Sequence, residues 1–304
     1  TSPYEGEVSA HTEGEVLKHW IITALVLSGL VVALLGLSQL GQLDRVQGPY
    51  DVPNSLALYL APIIVLAWRA YSIFGRLAAA VMFLALLFTE SLAGVVSVLI
   101  AVGAGLFILQ RNPLSPPYQG EKQTSSLDKG RMGGVLILVG VVATFLLVPK
   151  IHYLQQPGSS AQVRLQLWSI SWDLIRERPL LGVGLGTFEP AYQAKLHERF
   201  TEYESAPLPE FVFRDPHNWL LSFWLNTGLL GLASFVTIHA YIFFKTFLPL
   251  TKGEWLPAAA VGVSTALLAL LLLGLADTIY WKNDLATLHW LFIALLISAS
   301  QRMV

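Results

Sequence analysis

The sequence predicts an all-α integral membrane protein of about eight transmembrane helices, with a large extracytoplasmic loop that contains short interfacial helices. Two observations lead to this fold class. Of 304 residues, 54% are hydrophobic and only 13% are charged, whereas soluble domains are about 25% charged. Apolar runs near the roughly 20 residues that cross a bilayer recur between short polar links. Their recurrence indicates a bundle of spans and not a single anchor.

We predict spans at residues 19–40, 54–70, 74–89, 91–110, 131–149, 217–247, 256–276 and 286–301. Residues 1–18 form a polar amino-terminal segment without the basic region of a signal peptide. The first five spans lie within residues 19–149, and the Pro-, Ser- and Gly-rich stretch 111–130 is typical of a flexible cytoplasmic linker. The large loop occupies residues 150–216, and residues 217–304 contain the last three spans. Because the chain begins with threonine, we expect a piece of a longer protein.

The distribution of basic residues predicts the orientation. With a cytoplasmic amino end, only Arg45 and Lys282 fall in short outer loops, and the large loop is extracytoplasmic. Loops longer than roughly 60 residues cross the membrane largely regardless of charge, so the charges of the large loop agree with this topology. A net charge of -1 provides no global basic field for nucleic acid, and the absence of cysteine excludes disulfides and thiolate metal sites.

The first candidate for chemistry is Arg164, within residues 162–175. Apolar side chains recur there at i, i+3, i+4 and i+7 and include Trp168 and Trp172, which predicts an amphipathic helix at the membrane interface. A planar guanidinium binds phosphate oxygens bidentately. The alternative role for Arg164 is an arginine that reaches lipid headgroups.

The second candidate is His217. Asp215 can cap the helix that follows, Pro216 suits the first helical position, and His217 then falls in the first turn. The positive helix end disfavours imidazolium and the nearby Asp215 favours it. If the helix end dominates, the ring is neutral near pH 7 and suits a general base.

Two sets of glycines accompany these candidates. Gly182, Gly184 and Gly186 lack the spacing of a dinucleotide loop and predict a tight backbone turn. Gly228 lies 11 residues beyond His217 on nearly the same helix face, with Gly231 beside it. Such a smooth groove admits either a neighbouring helix or a polyprenyl tail.

Two further polar positions lie on the predicted outer side. Arg45 is a second cation in the first outer loop, where Asn54 follows Pro53 at a helix start in an ordinary capped turn. Glu90 lies between two apolar runs, either as a functional carboxylate or as part of a solvated turn.

In this order, these motifs resemble those of the O-antigen ligase and O-antigen polymerase superfamily. The closest match is His217 and Asn218, nine further residues, and then Gly228 and Gly231. The loop pattern is similar from Arg164 and Trp168 through Pro179, Leu180, Gly182, Val183, Gly184 and Phe188, and the earlier outer loop at Arg45, Gly48, Pro53 and Asn54. Together the similarities cover most of the chain.

The resemblance implies a GT-C-like fold in the bacterial inner membrane, with a periplasmic active site. It also implies inverting transfer of a glycan from an undecaprenyl-pyrophosphate carrier to a lipid or protein acceptor, without metal or cofactor. His217 would activate the acceptor and Arg164 would hold pyrophosphate, with Arg214, Asn218, Arg45 and Asn54 as further substrate-binding candidates. Leu92 stands where the family often has a second phosphate-binding arginine, so either Arg45 or Arg214 substitutes for it or the activity differs.

Three other functions remain open from the sequence. A repeat-unit polymerase and a protein O-oligosaccharyltransferase share the histidine motif and differ mainly in acceptor. A transporter of lipid-linked sugars is less favoured, because the predicted span interiors are almost free of charge whereas transporters bind substrate near the bilayer midplane.

Overall fold

The structure is a computed structural model that describes residues 3–69, 72–111, 159–200, 213–254, 256–278 and 283–300. Every regular secondary-structure element in these ranges is an α-helix. They are α1 (Pro3–Leu37), α2 (Pro53–Arg69), α3 (Ile73–Phe88), α4 (Leu92–Arg111), α5 (Ser160–Glu177), α6 (Phe188–Phe200), α7 (Trp219–Thr251), α8 (Ala258–Leu273) and α9 (Asn283–Ser300).

The helices agree with a membrane protein. Three of those described are long and apolar enough to cross a bilayer: Val16–Leu37 within α1, Leu92–Leu109 within α4, and the whole of α7. The apolar helices α3, α8 and Leu285–Ser300 are shorter. The all-α membrane class is therefore confirmed, whereas the count of eight spans stays a prediction. The predicted span at 131–149 lies outside the described residues.

Helix boundaries follow local capping. Ser72 precedes α3 with extended backbone, and its hydroxyl accepts the Gly75 N–H at 3.0 Å. At the amino end, α1 begins at Pro3, so the predicted polar segment continues into the apolar helix without a break.

The chain divides into two compact units. The first contains residues 1–112, 254–270 and 290–304, and within it α2 buries twelve of its 17 residues. A Cβ built on Gly29 of α1 would lie 2.6 Å from Met82 Sδ and 2.8 Å from Ile63 Cγ2, so a glycine is needed where α1 meets α2 and α3. The second unit contains residues 113–253 and 271–289.

The core of the second unit unites α5, α6 and α7. Buried apolar side chains from all three helices and the preceding segment form one cluster, which includes Leu167, Ile170, Leu174, Tyr192, Phe213 and Leu225. The predicted helix at 162–175 is confirmed as part of α5, and its placement at the membrane interface stays a prediction. Its stripe faces this protein core at Leu167 and Ile175, whereas Trp172 stays 42% exposed.

Helix α7 is broken at Gly228, where φ is 71° and ψ is -175°. In an unbroken helix the Leu229 N–H would bond to the Leu225 carbonyl. Here the Leu229 N–H donates to Leu180 O at 3.0 Å, while Leu225 O accepts the Val183 and Gly184 N–H groups at 2.7 and 3.1 Å. The turn after α5 thus replaces the lost helical bond from both sides, and we call this exchange the backbone clasp.

The backbone clasp explains the glycines of the turn after α5 and the glycine at the break in α7. The predicted tight turn is confirmed, since φ is 67° at Gly182, 104° at Gly184 and 71° at Gly186. The straight helix face predicted for Gly228 is wrong, because the φ and ψ of this residue break the helix. A Cβ at Gly228 would also collide with Leu180 O. The backbone of the turn occupies the space that the predicted groove assigned to a helix or a lipid tail. At Gly231 a Cβ would collide with Thr227 of the same helix.

Candidate active site

His217 lies in a strained approach to α7. Its φ is 49°, an uncommon value for a residue other than glycine, and such strain concentrates at functional sites. The prediction of Asp215 as the cap and His217 in the first helical turn is wrong. Asn218 is the cap, because its Oδ1 accepts the N–H groups of Leu220 and Leu221 at 3.0 and 3.2 Å.

Asp215 instead orders the backbone before the helix. Its Oδ1 accepts the His217 N–H at 2.8 Å and the Thr278 hydroxyl at 2.5 Å. Trp219 N–H donates to Gly274 O at 2.9 Å, and Asn218 Nδ2 donates to Leu275 O at 2.9 Å. These bonds hold the end of α8 and the residues after it against the segment that carries His217.

Asp277 is the closest charged partner of the imidazole. Its Oδ1 lies 3.2 Å from His217 Nδ1, and Asp215 Oδ1 lies 3.5 Å from the same nitrogen. The Asp277 side chain is 4% exposed and that of His217 is 30% exposed. An ionised carboxylate only accepts hydrogen bonds, so a neutral His217 ring bonded to ionised Asp277 carries its proton on Nδ1 and keeps the lone pair on Nε2.

The pKa of His217 is raised above its usual value. Burial is the largest single influence and lowers the pKa, but the hydrogen bond to Asp277 and the charges of Asp277 and Asp215 raise it by more in total. The Arg164 charge lowers the pKa again. The sequence left open whether the positive helix end or the nearby Asp215 carboxylate sets the pKa of His217. The structure shows a raised pKa, for which both Asp215 and Asp277 are responsible, and the sequence analysis had not considered Asp277.

Arg164 and Trp168 lie one turn apart on α5 and bind the two segments that form the site. Arg164 Nε donates to Ala276 O at 2.7 Å, directly before Asp277. Trp168 Nε1 donates to Pro216 O at 3.0 Å, directly before His217. The structure therefore brings the predicted cation and the predicted base into one site.

The other predicted residues have different places. Arg214 is exposed on the His217 segment, and the Asn218 amide is engaged in capping α7 and in binding Leu275 O. Arg45 and Asn54 belong to the first unit, where the Arg45 guanidinium donates to Thr89 O at 2.8 and 2.6 Å and to Asn54 Oδ1 at 3.5 Å. Their roles in substrate binding stay predictions.

Glu90 follows α3 in an exposed turn, where its φ is 56°. This position agrees with the interpretation of Glu90 as part of a solvated turn. The residues that the sequence analysis missed are Asp277 and Thr278. A sequence signal was available for Asp277, because ionisable residues associated with apolar membrane segments are functional candidates.

Asp215, His217 and Asp277 also form a set of groups that could hold a metal ion, with their ligand atoms within 4.8 Å of one another. One imidazole and two carboxylates suit a divalent cation by composition. The ligand nitrogen would be Nδ1, the same atom that donates to Asp277. Metal binding and the Asp277–His217 hydrogen bond are therefore mutually exclusive.

The site thus combines a carboxylate-oriented histidine and an arginine beside a helix that can cross a membrane. A family model described as O-antigen ligase matches residues 77–236, which is more than half of the chain. The chain belongs to the O-antigen ligase family, as its motifs predicted. The match includes Arg164 and His217, but it ends before Asp277.

One curated relative is the O-antigen ligase of Salmonella typhimurium (strain LT2), 32% identical over 99 residues. The aligned stretch covers 32% of this chain and 23% of the relative's length.

Proposed function

We propose that this chain transfers a glycan from an undecaprenyl-pyrophosphate carrier to an acceptor hydroxyl at the periplasmic face of the bacterial inner membrane. The observation that carries the proposal is the His217 imidazole, oriented by Asp277 and adjacent to the segment that binds Arg164. Membership of the O-antigen ligase family supports the same reaction.

In the proposed step, His217 Nε2 accepts the proton of the acceptor hydroxyl. The hydroxyl oxygen forms a bond to the anomeric carbon as the bond from that carbon to the pyrophosphate oxygen breaks. The electron pair leaves on the lipid pyrophosphate, and attack opposite the leaving group inverts the anomeric configuration. Asp277 stabilises the imidazolium that forms, as a buried carboxylate does in serine protease triads.

Arg164 is the proposed partner of the departing pyrophosphate. Charge grows on the bridging oxygen as the bond breaks, and a fixed guanidinium stabilises it most where water is excluded. The bonds to Ala276 O and Ser160 O, at 2.7 and 3.3 Å, limit the movement of the side chain. Arg214, exposed on the neighbouring segment, is the proposed second cation in place of Leu92.

Reconstitution tests this function directly. The full-length protein in proteoliposomes, with a defined undecaprenyl-pyrophosphate oligosaccharide, is expected to glycosylate a lipid, glycan-carrier or protein acceptor. The acceptor that is used distinguishes a ligase, a repeat-unit polymerase and a protein glycosyltransferase. Transfer is expected to persist in excess EDTA. Loss in EDTA that added divalent cation restores would replace the Asp277–His217 dyad with a metal site.

Arg164→Ala is expected to raise KM for the lipid-linked donor by about 10- to 150-fold, the size of a charge-assisted hydrogen bond of about 1.5–3 kcal/mol. Arg164→Lys keeps the charge but loses the planar donor pair, so we expect an intermediate KM. Donor titration at saturating acceptor measures the effect, with the melting temperature of each variant as the control. An unchanged donor KM in a folded Arg164→Ala variant would remove the pyrophosphate role.

Asp277→Asn is expected to shift the pH profile as well as the rate. Both the hydrogen bond and the charge of Asp277 raise the pKa of His217, so their loss lowers it. Since the base must be neutral, activity falls as pH falls through this pKa, and the acidic limb of kcat/KM should move to lower pH. We also expect a plateau lower by about 100-fold or more, because the tautomer is no longer fixed. A lower rate with an unmoved limb would indicate a merely structural role.

A further inference from the structure

The backbone clasp presents an unusual amount of exposed apolar surface. Leu180, Leu181 and Leu185 of the turn are 68%, 83% and 67% exposed, and Leu229 and Leu230 of α7 are 40% and 81% exposed. Single exposed leucines are ordinary on soluble proteins. Here five lie on two segments joined by backbone hydrogen bonds, and we call this group the leucine lip.

Tryptophans border the leucine lip on the side of α5. Trp172 is 42% exposed, and its ring meets that of Trp224 edge-on at 5.6 Å. The Trp224 Nε1–H donates to Pro179 O at 2.7 Å, next to Leu180. Tryptophan is enriched at the level where hydrocarbon gives way to headgroups. The rings therefore mark an interfacial level beside the lip, independently of the leucines.

The length of α7 indicates the same position for the membrane interface as the tryptophans do. Its 33 residues extend about 50 Å at 1.5 Å per residue. A hydrocarbon core of about 30 Å needs only about 20 of them. The part after the break at Gly228 is long enough to cross alone, so the part before it can stand outside the core with the His217 segment. The leucine lip lies where these two parts meet.

The backbone clasp also satisfies the polar groups that the break in α7 would leave without a helical partner. Backbone that leaves the helix at membrane depth must have its polar groups satisfied within the protein, because lipid offers no hydrogen-bond partner. At the break, Leu225 O has two donors from the turn and the Leu229 N–H has Leu180 O as its acceptor. The outward-facing leucines beside these bonded groups suit acyl chains better than water.

We propose that the leucine lip inserts into the acyl chains of the periplasmic leaflet, and that bilayer lipid is its partner. The lip continues the lipid-facing surface of α7 onto the extramembrane core of the second unit. It fixes the height of the His217 segment at the headgroup level. The proposal concerns the membrane contact alone and is independent of the glycan-transfer reaction.

The absence of cysteine from the chain allows a direct depth measurement. Leu181→Cys and Leu230→Cys place single thiols in the lip, while Arg176→Cys and Glu198→Cys, whose native side chains are each 69% exposed, are the controls. Each variant of the full chain is labelled with an environment-sensitive fluorophore in phosphatidylethanolamine–phosphatidylglycerol vesicles. Quenching by aqueous iodide and by nitroxide on the upper acyl chain is then compared.

The lip labels are expected to be quenched by the acyl nitroxide and to be several-fold less sensitive to iodide than the control labels. Equal iodide sensitivity at lip and control positions would overturn the proposal. Protection from iodide without nitroxide quenching would also overturn it, because protein and not lipid would then cover the lip. Reactivity of the unlabelled cysteines towards a membrane-impermeant maleimide, before and after unfolding in detergent, checks the result without a bulky label.

Discussion

His217→Ala is expected to reduce glycan transfer to background while membrane insertion is unchanged. General base catalysis contributes about 10²- to 10⁴-fold, and the imidazole is the proposed proton acceptor for the attacking hydroxyl. With Nδ1 bonded to Asp277, only Nε2 can take this proton. Initial rates in proteoliposomes at saturating donor and acceptor measure the loss.

The backbone at His217 calls for matched controls, because alanine tolerates its φ of 49° less well. Asparagine adopts this region more readily, so His217→Asn separates the lost base from added strain. His217→Gly accepts the backbone and opens a space in which added imidazole can restore transfer. Normal transfer by a folded His217→Asn variant would exclude the proposed base.

Gly228→Ala is expected to have the largest effect on folding. A φ of 71° with a ψ of -175° is essentially restricted to glycine, and a Cβ would also collide with Leu180 O. Strain of about 1–3 kcal/mol and overpacking of a similar size predict a loss of about 3 kcal/mol or more. Thermal unfolding in detergent measures the loss, and faster amide exchange at Val183 and Leu229 would locate it in the backbone clasp.

Gly186→Ala is the matched control for this effect. Gly186 lies in the same turn and has the same φ of 71°, but a Cβ there meets nothing within 4 Å. The variant therefore adds backbone strain without a collision, and we expect a smaller loss of stability. Equal melting temperatures for Gly186→Ala and Gly228→Ala would show that close contact between the turn and α7 contributes nothing.

The features that the sequence determined are those set by local spacing. Apolar runs predicted the membrane class and most helices to within a few residues, because span length and helical periodicity depend on near neighbours along the chain. The glycine-rich turn was predictable for the same reason. Arg164 and His217 were identified because each lies in a short motif.

The tertiary structure alone decided which groups meet. Arg164 bonds to Ala276 across 112 positions, and His217 meets Asp277 across 60. Spacing along the chain carries no information about such pairs. Spacing also could not show that, at the break, the Leu229 N–H would bond to Leu180 O of the turn in place of Leu225 O. Long-range contacts depend on how complete helices pack, which is why the pairing of Asp277 with His217, which raises the pKa of the imidazole, emerged only from the folded chain.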